Sequence, residues 1–227
     1  MALQAVILNC TLKKSPQVSH TEALTKKVTD LMEPLGVQSE VVRPVDYNIP
    51  FGVSSDEGKG DEWPRILKKL IAADIVIIGT PIWFGVRSSV AQLVIERLDG
   101  TYSEADPETG QFPLYGKVAG CIVTGNEDGA HDAAANTLFN LSHLGCVVPP
   151  NSDCYWVGDA GPGPSYIEAG GDKHMYTNKT ARYMAHNLVY LAKLLKDHPI
   201  PTNLKQLIVD AQEYSQGNCP DRHGSSS

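Results

Sequence analysis

The sequence predicts an open α/β domain, a doubly wound parallel sheet with helices on both faces, and three observations carry that prediction. Short runs that are apolar throughout, residues 5–8, 75–78 and 118–123, have the pattern of strands buried on both faces. Segments with apolar residues at helical spacing alternate with them, as strand-helix-strand crossovers require. Polar loops rich in Gly, Pro and hydroxyl residues follow the carboxyl ends of these strands, which is where open α/β sheets bind ligands.

The chain can be followed in order. Residues 5–8 form the central strand, and after Asn9 and Cys10 a polar stretch carries Thr11, Lys13, Lys14, Ser15, Ser19, His20 and Thr21 to the start of a helix. That helix has Leu24, Val28, Leu31, Met32 and Leu35 on one face and stops at Gly36. Hydroxyls, lysines, free N–H groups and the positive end of the helix dipole converge at its amino end, a ready phosphate site, although Ser19 or Thr21 would equally serve as an ordinary cap. The loop is neither GxxxxGK[ST] nor GxGxxG.

Residues 37–43 read as the second strand, and 44–59 as a long irregular connection. Trp63, Ile66, Leu67, Leu70 and Ile71 form the next helical stripe, entered through Asp61 with Pro64 near the first turn. The third strand, 75–78, is expected to stop at Gly79, with 80–87 a loop that carries Pro81, Ile82, the adjacent aromatics Trp83 and Phe84, and Gly85. Planar side chains there suggest a planar ligand. Ser88 and Ser89 can cap a helix with Val90, Val94 and Leu98 on one face.

After a second polar connection, 99–117, the fourth strand, 118–123, ends in Thr124, Gly125, Asn126, Glu127, Asp128 and Gly129. Its two glycines permit close backbone approach to a ligand. His131 follows in the first turn of a helix with Ala134, Leu138 and Leu141 on its apolar face. Val147 and Val148 read as the last strand, and 149–179 as a turn-rich insert in which Tyr155, Trp156, Tyr166, His174 and Tyr176 could wall a substrate pocket. Its GDAGPG segment lacks the context of a phosphate motif. A long helix, 177–196, covers the sheet, so the expected division is a domain at 1–198 and a peripheral or assembly-related extension at 199–227.

Composition narrows the function. With 227 residues, 42% hydrophobic and 20% charged, the chain is expected to form one sizeable core. A net charge of −7 argues against nucleic acid or an anionic membrane as partner. No apolar run approaches a membrane span and the start lacks the features of a signal peptide, so a cytoplasmic protein is expected. The cysteines, at 10, 121, 146, 154 and 219, are odd in number and dispersed, which suits buried thiols in a reducing compartment and no metal site.

Taken together, the loop ending Ser-His-Thr-Glu-Ala-Leu (19–24), the segment Gly-Thr-Pro-Ile-Trp-Phe-Gly (79–85) and the segment Thr-Gly-Asn-Glu-Asp-Gly (124–129) resemble the flavodoxin-like NAD(P)H-dependent FMN reductase and quinone reductase family, over residues 5–151. The resemblance implies a five-stranded parallel sheet of order 2-1-3-4-5. It also implies FMN, with its phosphate on the first loop and its isoalloxazine gripped by the other two, and hydride from NAD(P)H passed to a quinone, free flavin or other small electrophile. Dimers or tetramers are expected by the same resemblance. The first loop departs from the family's short Gly-Ser type, having two lysines and no glycine. Three other readings are weighed: a flavodoxin-type electron carrier, disfavoured by the lack of an acidic docking tract; an iron–sulfur flavoprotein, rejected for want of a compact cysteine motif; and a binding protein that has lost its flavin, disfavoured because all three loops are retained.

Overall fold

The computed structural model describes residues 2–161 and 163–217. Its strands are β1 (Leu3–Asn9), β2 (Val37–Val42), β3 (Ile75–Trp83), β4 (Val86–Arg87), β5 (Val118–Gly125) and β6 (Asp153–Val157). Five of them make a parallel sheet in the order β2-β1-β3-β5-β6, while β4 pairs antiparallel with the end of β3. Counting parallel strands alone, this is the expected 2-1-3-4-5 arrangement.

Alternation along each strand divides the core. Leu3, Ala5 and Ile7 of β1, Ile75 and Ile77 of β3, and Val118 and Ile122 of β5 pack beneath α1 (His20–Met32) and α5 (Met175–Asp197). Val6, Leu8, Val76, Ile78 and Ala119 face the other way, toward α2 (Trp63–Ala72), α3 (Ser89–Asp99) and the far end of α4 (Ala130–His143). Both faces are therefore covered, which is why these strands read as continuous apolar runs.

Two sequence expectations need correction. The third strand does not stop at Gly79; it continues in register with β1 at Gly79 and with β5 through Pro81, and reaches Trp83. Residues 80–87 are thus strand and hairpin rather than loop. Pro81 is tolerated because β3 is at this point leaving the sheet for its antiparallel partner. The last strand is Asp153–Val157, not Val147 and Val148; Val147 makes only an isolated bridge to Val118. β6 is an edge strand that buries Cys154 and Trp156 on one side only, so it lacks the unbroken apolar pattern of the inner strands. Its β-favouring run Cys-Tyr-Trp-Val was the available signal.

The helices agree closely with expectation. α1 is capped by Ser19, whose hydroxyl accepts from the Glu22 N–H, and its C-terminal turn of 3₁₀ helix ends at Gly36 with φ of 90°. α3 is capped by Ser88. Cys10, Cys121, Cys146 and Cys154 are buried free thiols, and burial drives all four upward, the last three to about 12. They are packing residues without nucleophilic character. Cys219 and the terminal tail lie outside the described residues.

The connection at 44–62 is held from beneath by Arg97. Its guanidinium, fully buried, pairs with Asp61 at 2.5 Å and donates to the carbonyls of Ser54 and Pro50 at 2.9 and 3.1 Å. Beyond α5 the extension forms α6 (Leu204–Ser215), which has no buried residue and is tied to the loop at 106–111 by hydrogen bonds such as Lys205 N–H to the Thr109 carbonyl, 3.1 Å. Among the described residues no helix is long and apolar enough to cross a membrane.

Candidate flavin-binding cleft

At the carboxyl edge of the sheet a cleft of about 690 Å³, open mouth included, lies between the loop after β1, the end of β3 and the loop after β5.

The first wall is the amino end of α1 with Thr11, Leu12, Lys13, Ser19, His20 and Thr21. The first intrahelical bond runs from the Ala23 N–H to the Ser19 carbonyl and Ser19 Oγ takes the Glu22 N–H, so the N–H groups of His20 and Thr21 precede the bonded turns. Free donors at the positive end of a helix, beside Lys13, are the chemistry of an anion site. Ser88 holds this wall in place: its hydroxyl donates to the Cys10 carbonyl at 2.6 Å, and its own N–H donates to Thr80 Oγ1 at 3.0 Å. The loop after β1 is thereby tied to the strand beside it.

Burial holds the His20 imidazole below its ordinary value, against the pull of the Glu168 carboxylate 3.6 Å away and with the help of Lys13. Ser15 stands apart from the cleft. Its N–H and hydroxyl donate to the two carboxylate oxygens of Asp46, at 2.8 and 2.6 Å, which holds that carboxyl below the usual range.

The second and third walls are Pro81, Ile82 and Trp83 from β3, and Thr124, Gly125, Asn126 and Glu127 from the end of β5. Thr21 and Thr124 bind hydroxyl to hydroxyl at 2.7 Å in a buried position, joining the amino end of α1 to the third wall. Gly125 packs against Ile82, whose Cδ1 would lie 2.7 Å from a Cβ there and would have to shift to admit one. Glu127 turns a carboxylate oxygen toward the hairpin and accepts the Phe84 N–H at 3.1 Å. Phe84, Gly85, Asp128 and Gly129 do not line the cleft; they form the exposed hairpin tip and the part of the loop after β5 on which it packs.

The last wall comes from the segment read as a turn-rich insert: Trp156, Ser165 and Tyr166. Leu12 and Ser165 carried no signal in the sequence, being ordinary residues brought in by neighbours. Trp156 and Tyr166 meet edge to face with centroids 5.6 Å apart, and the buried Tyr166 hydroxyl has no hydrogen-bond partner among the described residues. An orphaned phenol in the wall of a cleft suits a polar ligand. The remaining candidate aromatics lie elsewhere: His131 meets the Tyr155 hydroxyl at 3.0 Å, Tyr155 stacks toward Tyr176, and His174 caps α5.

Flat apolar walls at one end and a helix amino terminus with hydroxyls and a lysine at the other fit a flavin carrying a terminal phosphate. Among the described residues there is no group of three or more His, Cys, Asp or Glu that could hold a metal. Comparison with known proteins agrees. The chain is 43% identical over 224 residues, 95% of its length and 87% of the relative's, to 8-demethyl-8-aminoriboflavin-5'-phosphate synthase of Streptomyces davaonensis. It superposes with a TM-score of 0.88 and 41% identity on a crystal structure of RosB with bound 8-demethyl-8-formylriboflavin-5'-phosphate, covering 100% of this chain and 91% of that one. An apo NADH:FMN oxidoreductase shares the fold, with a TM-score of 0.59 and 16% identity over 87% of this chain and 92% of that one. Residues 3–159, which hold all three loops and the first three walls of the cleft, match the family described as NADPH-dependent FMN reductase, and the chain belongs to that family.

Proposed function

We propose that this chain holds riboflavin 5′-phosphate in the cleft as an oxidoreductase that draws on NAD(P)H and serves a small electrophilic acceptor. The carrying observation is a single cleft that combines free helix N–H groups, Lys13, Ser19 and Thr21 on one wall with Pro81, Ile82 and Trp83 on the next. The phosphate is assigned to the amino end of α1, and the ring to the space bounded by residues 81–83, 124–127 and Trp156. Bound there, the flavin supplies two-electron chemistry; the protein supplies orientation, access and the hydrogen bonds that tune it. The four described thiols are buried and protonated, which supports leaving the redox step to the cofactor.

Ser19 does double duty as cap and wall, so the helix that would receive the phosphate is preformed before binding. Glu127 is engaged by the Phe84 N–H, which turns its charge toward the hairpin. That arrangement removes one objection to an electron-rich reduced ring beside an acidic loop.

A second reading is favoured by one observation. Similarity to the aminoriboflavin-phosphate synthase covers 95% of the chain, beyond the residues that define the family. On this reading the flavin phosphate is itself the substrate and is altered at position 8. A quinone as the acceptor draws no support from the relatives, whereas a flavin does.

Anaerobic titration of the FMN-loaded protein with NADH and NADPH separately tests the first reading. Bleaching of the flavin band, reversed by added riboflavin or a quinone, supports it and shows the preferred donor; a flavin that neither nucleotide reduces overturns it. Mass analysis of the flavin after aerobic incubation with an amine donor tests the second, through a product altered at position 8.

A further inference from the structure

Phe84 is out of place for the fold. It lies with Gly85 between the paired residues Trp83 and Val86, in a two-residue hairpin turn where both central φ angles are positive, 50° at Phe84 and 81° at Gly85. Asn or Asp is the ordinary residue at the first of these positions, because a short polar side chain tolerates the left-handed region that a bulky one does not. Burial offers no compensation, for the Phe84 side chain is 96% exposed.

The turn also has little freedom to relax. Gly85 lies against the backbone of Gly129, and the Phe84 N–H is held by Glu127. The result is an aromatic ring presented to solvent from a fixed backbone, at a conformational cost that burial of the ring does not offset. Strain of this kind clusters where a protein meets a ligand.

Its position indicates which ligand. Trp83 precedes it in the chain and Glu127 bonds its N–H, and both line the cleft, so Phe84 stands at the rim. We propose that Phe84 is the stacking contact for a second planar aromatic ligand at the mouth of the cleft, the nicotinamide, quinone or flavin ring that serves as co-substrate. The assignment rests on the reading of the cleft as a flavin site. It gives Phe84 a role different from that of Trp83: Trp83 walls the space for the resident ring, and Phe84 receives the incoming one. An electron-poor flat ring gains from an aromatic face where a flexible or globular partner would not need one.

The test measures binding rather than turnover. FMN-saturated wild type, Phe84→Asn and Phe84→Tyr are titrated by calorimetry with NADP⁺, menadione and riboflavin, and their thermal midpoints and solution masses are recorded. Phe84→Asn relieves the turn, so its midpoint rises or holds, its FMN affinity stays as in wild type, and at least one of the three compounds binds about fivefold more weakly. Phe84→Tyr restores that binding, and the compound affected identifies the source of the ring. The proposal is overturned if none of the three binds wild type, if all bind Phe84→Asn as they bind wild type, or if Phe84→Asn changes only the solution mass, which would make the tip an interface between copies. Wild type that binds a planar compound through Phe84 but turns over no NAD(P)H would sink the oxidoreductase reading alone. Wild type that takes no FMN would sink the reading of the cleft, and the same titrations on the FMN-free protein would still decide Phe84.

Discussion

Gly129 and Gly85 meet backbone to backbone: a Cβ built on Gly129 would lie 2.1 Å from the Gly85 carbonyl oxygen. Gly129 also has a φ of 123°, which an L side chain rarely adopts. The hairpin after β3 and the loop after β5, which extend neighbouring walls of the cleft, are thus locked together at a point where no side chain fits.

Gly129→Ala is expected to push the two loops apart. The strain alone costs about 1–3 kcal/mol, and the clash adds to it. A lowered urea midpoint together with weaker FMN binding checks this; a variant with wild-type values for both would show that the contact is dispensable.

Ser19→Ala combined with Thr21→Ala is expected to release FMN from a chain that remains folded. The lost cap costs about 1 kcal/mol, which a domain of this size survives. Thr21 also gives up its 2.7 Å hydrogen bond to Thr124, so the anion site loses a ligand and its tie to the neighbouring wall at once. Flavin fluorescence titration beside far-ultraviolet circular dichroism separates loss of binding from loss of fold, and unchanged FMN affinity would remove the phosphate from this loop.

The ion pair between Arg97 and Asp61 sets an acid limit. Burial by itself raises the Asp61 carboxyl, but the hydrogen bonds from Arg97 and from the N–H groups of Glu57 and Trp63 outweigh it and leave the group below its ordinary value. A depressed folded value means that the contribution is present above the unfolded value, about 4, and is lost as pH falls through the folded one. Arg97→Ala strands the Asp61 charge and should cost about 3–5 kcal/mol near neutral pH. Asp61→Asn should flatten the fall in stability below about pH 4, as read from urea midpoints across pH; a wild-type pH profile in that variant would place the acid sensitivity elsewhere.

Removal of residues 199–227 is expected to leave FMN binding intact. α6 buries no residue, and its ties to residues 106–111 are exposed hydrogen bonds worth little each. The truncated chain should lose at most about 1–2 kcal/mol, with any change in solution mass showing that the extension serves assembly. Loss of flavin from this variant would instead place the extension in the site.

Several features of the cleft were legible in the residues themselves. The apolar runs at 5–8, 75–78 and 118–123 identify inner strands because both faces of a parallel sheet are dry. The serines at 19 and 88 mark helix starts because a cap must be a short hydroxyl or carboxamide. Three polar loops at carboxyl ends of such strands converge because parallel strands all end on one edge. Of the five residues expected to wall a substrate pocket, Trp156 and Tyr166 line the cleft, whereas Tyr155, His174 and Tyr176 do not. β6 escaped notice because an edge strand with one dry face shows only a weak period in five residues, and Val147 and Val148 offered a more apolar decoy.

Local pattern alone thus determined the alternating architecture, the inner strands, the helix caps and the polar, hydroxyl-rich amino end of α1, since each depends on residues within one or two turns of each other. Tertiary structure decided what depends on distance between segments: that β3 runs on into a hairpin, that Ser15 turns away to Asp46, that Trp156 and Tyr166 close the cleft, and that Gly85 and Gly129 touch. The hairpin pairs near neighbours, Ile82 with Arg87 and Trp83 with Val86, once β5 has drawn β3 on in register, and the other outcomes join segments distant in the chain; no periodicity in a single stretch encodes them.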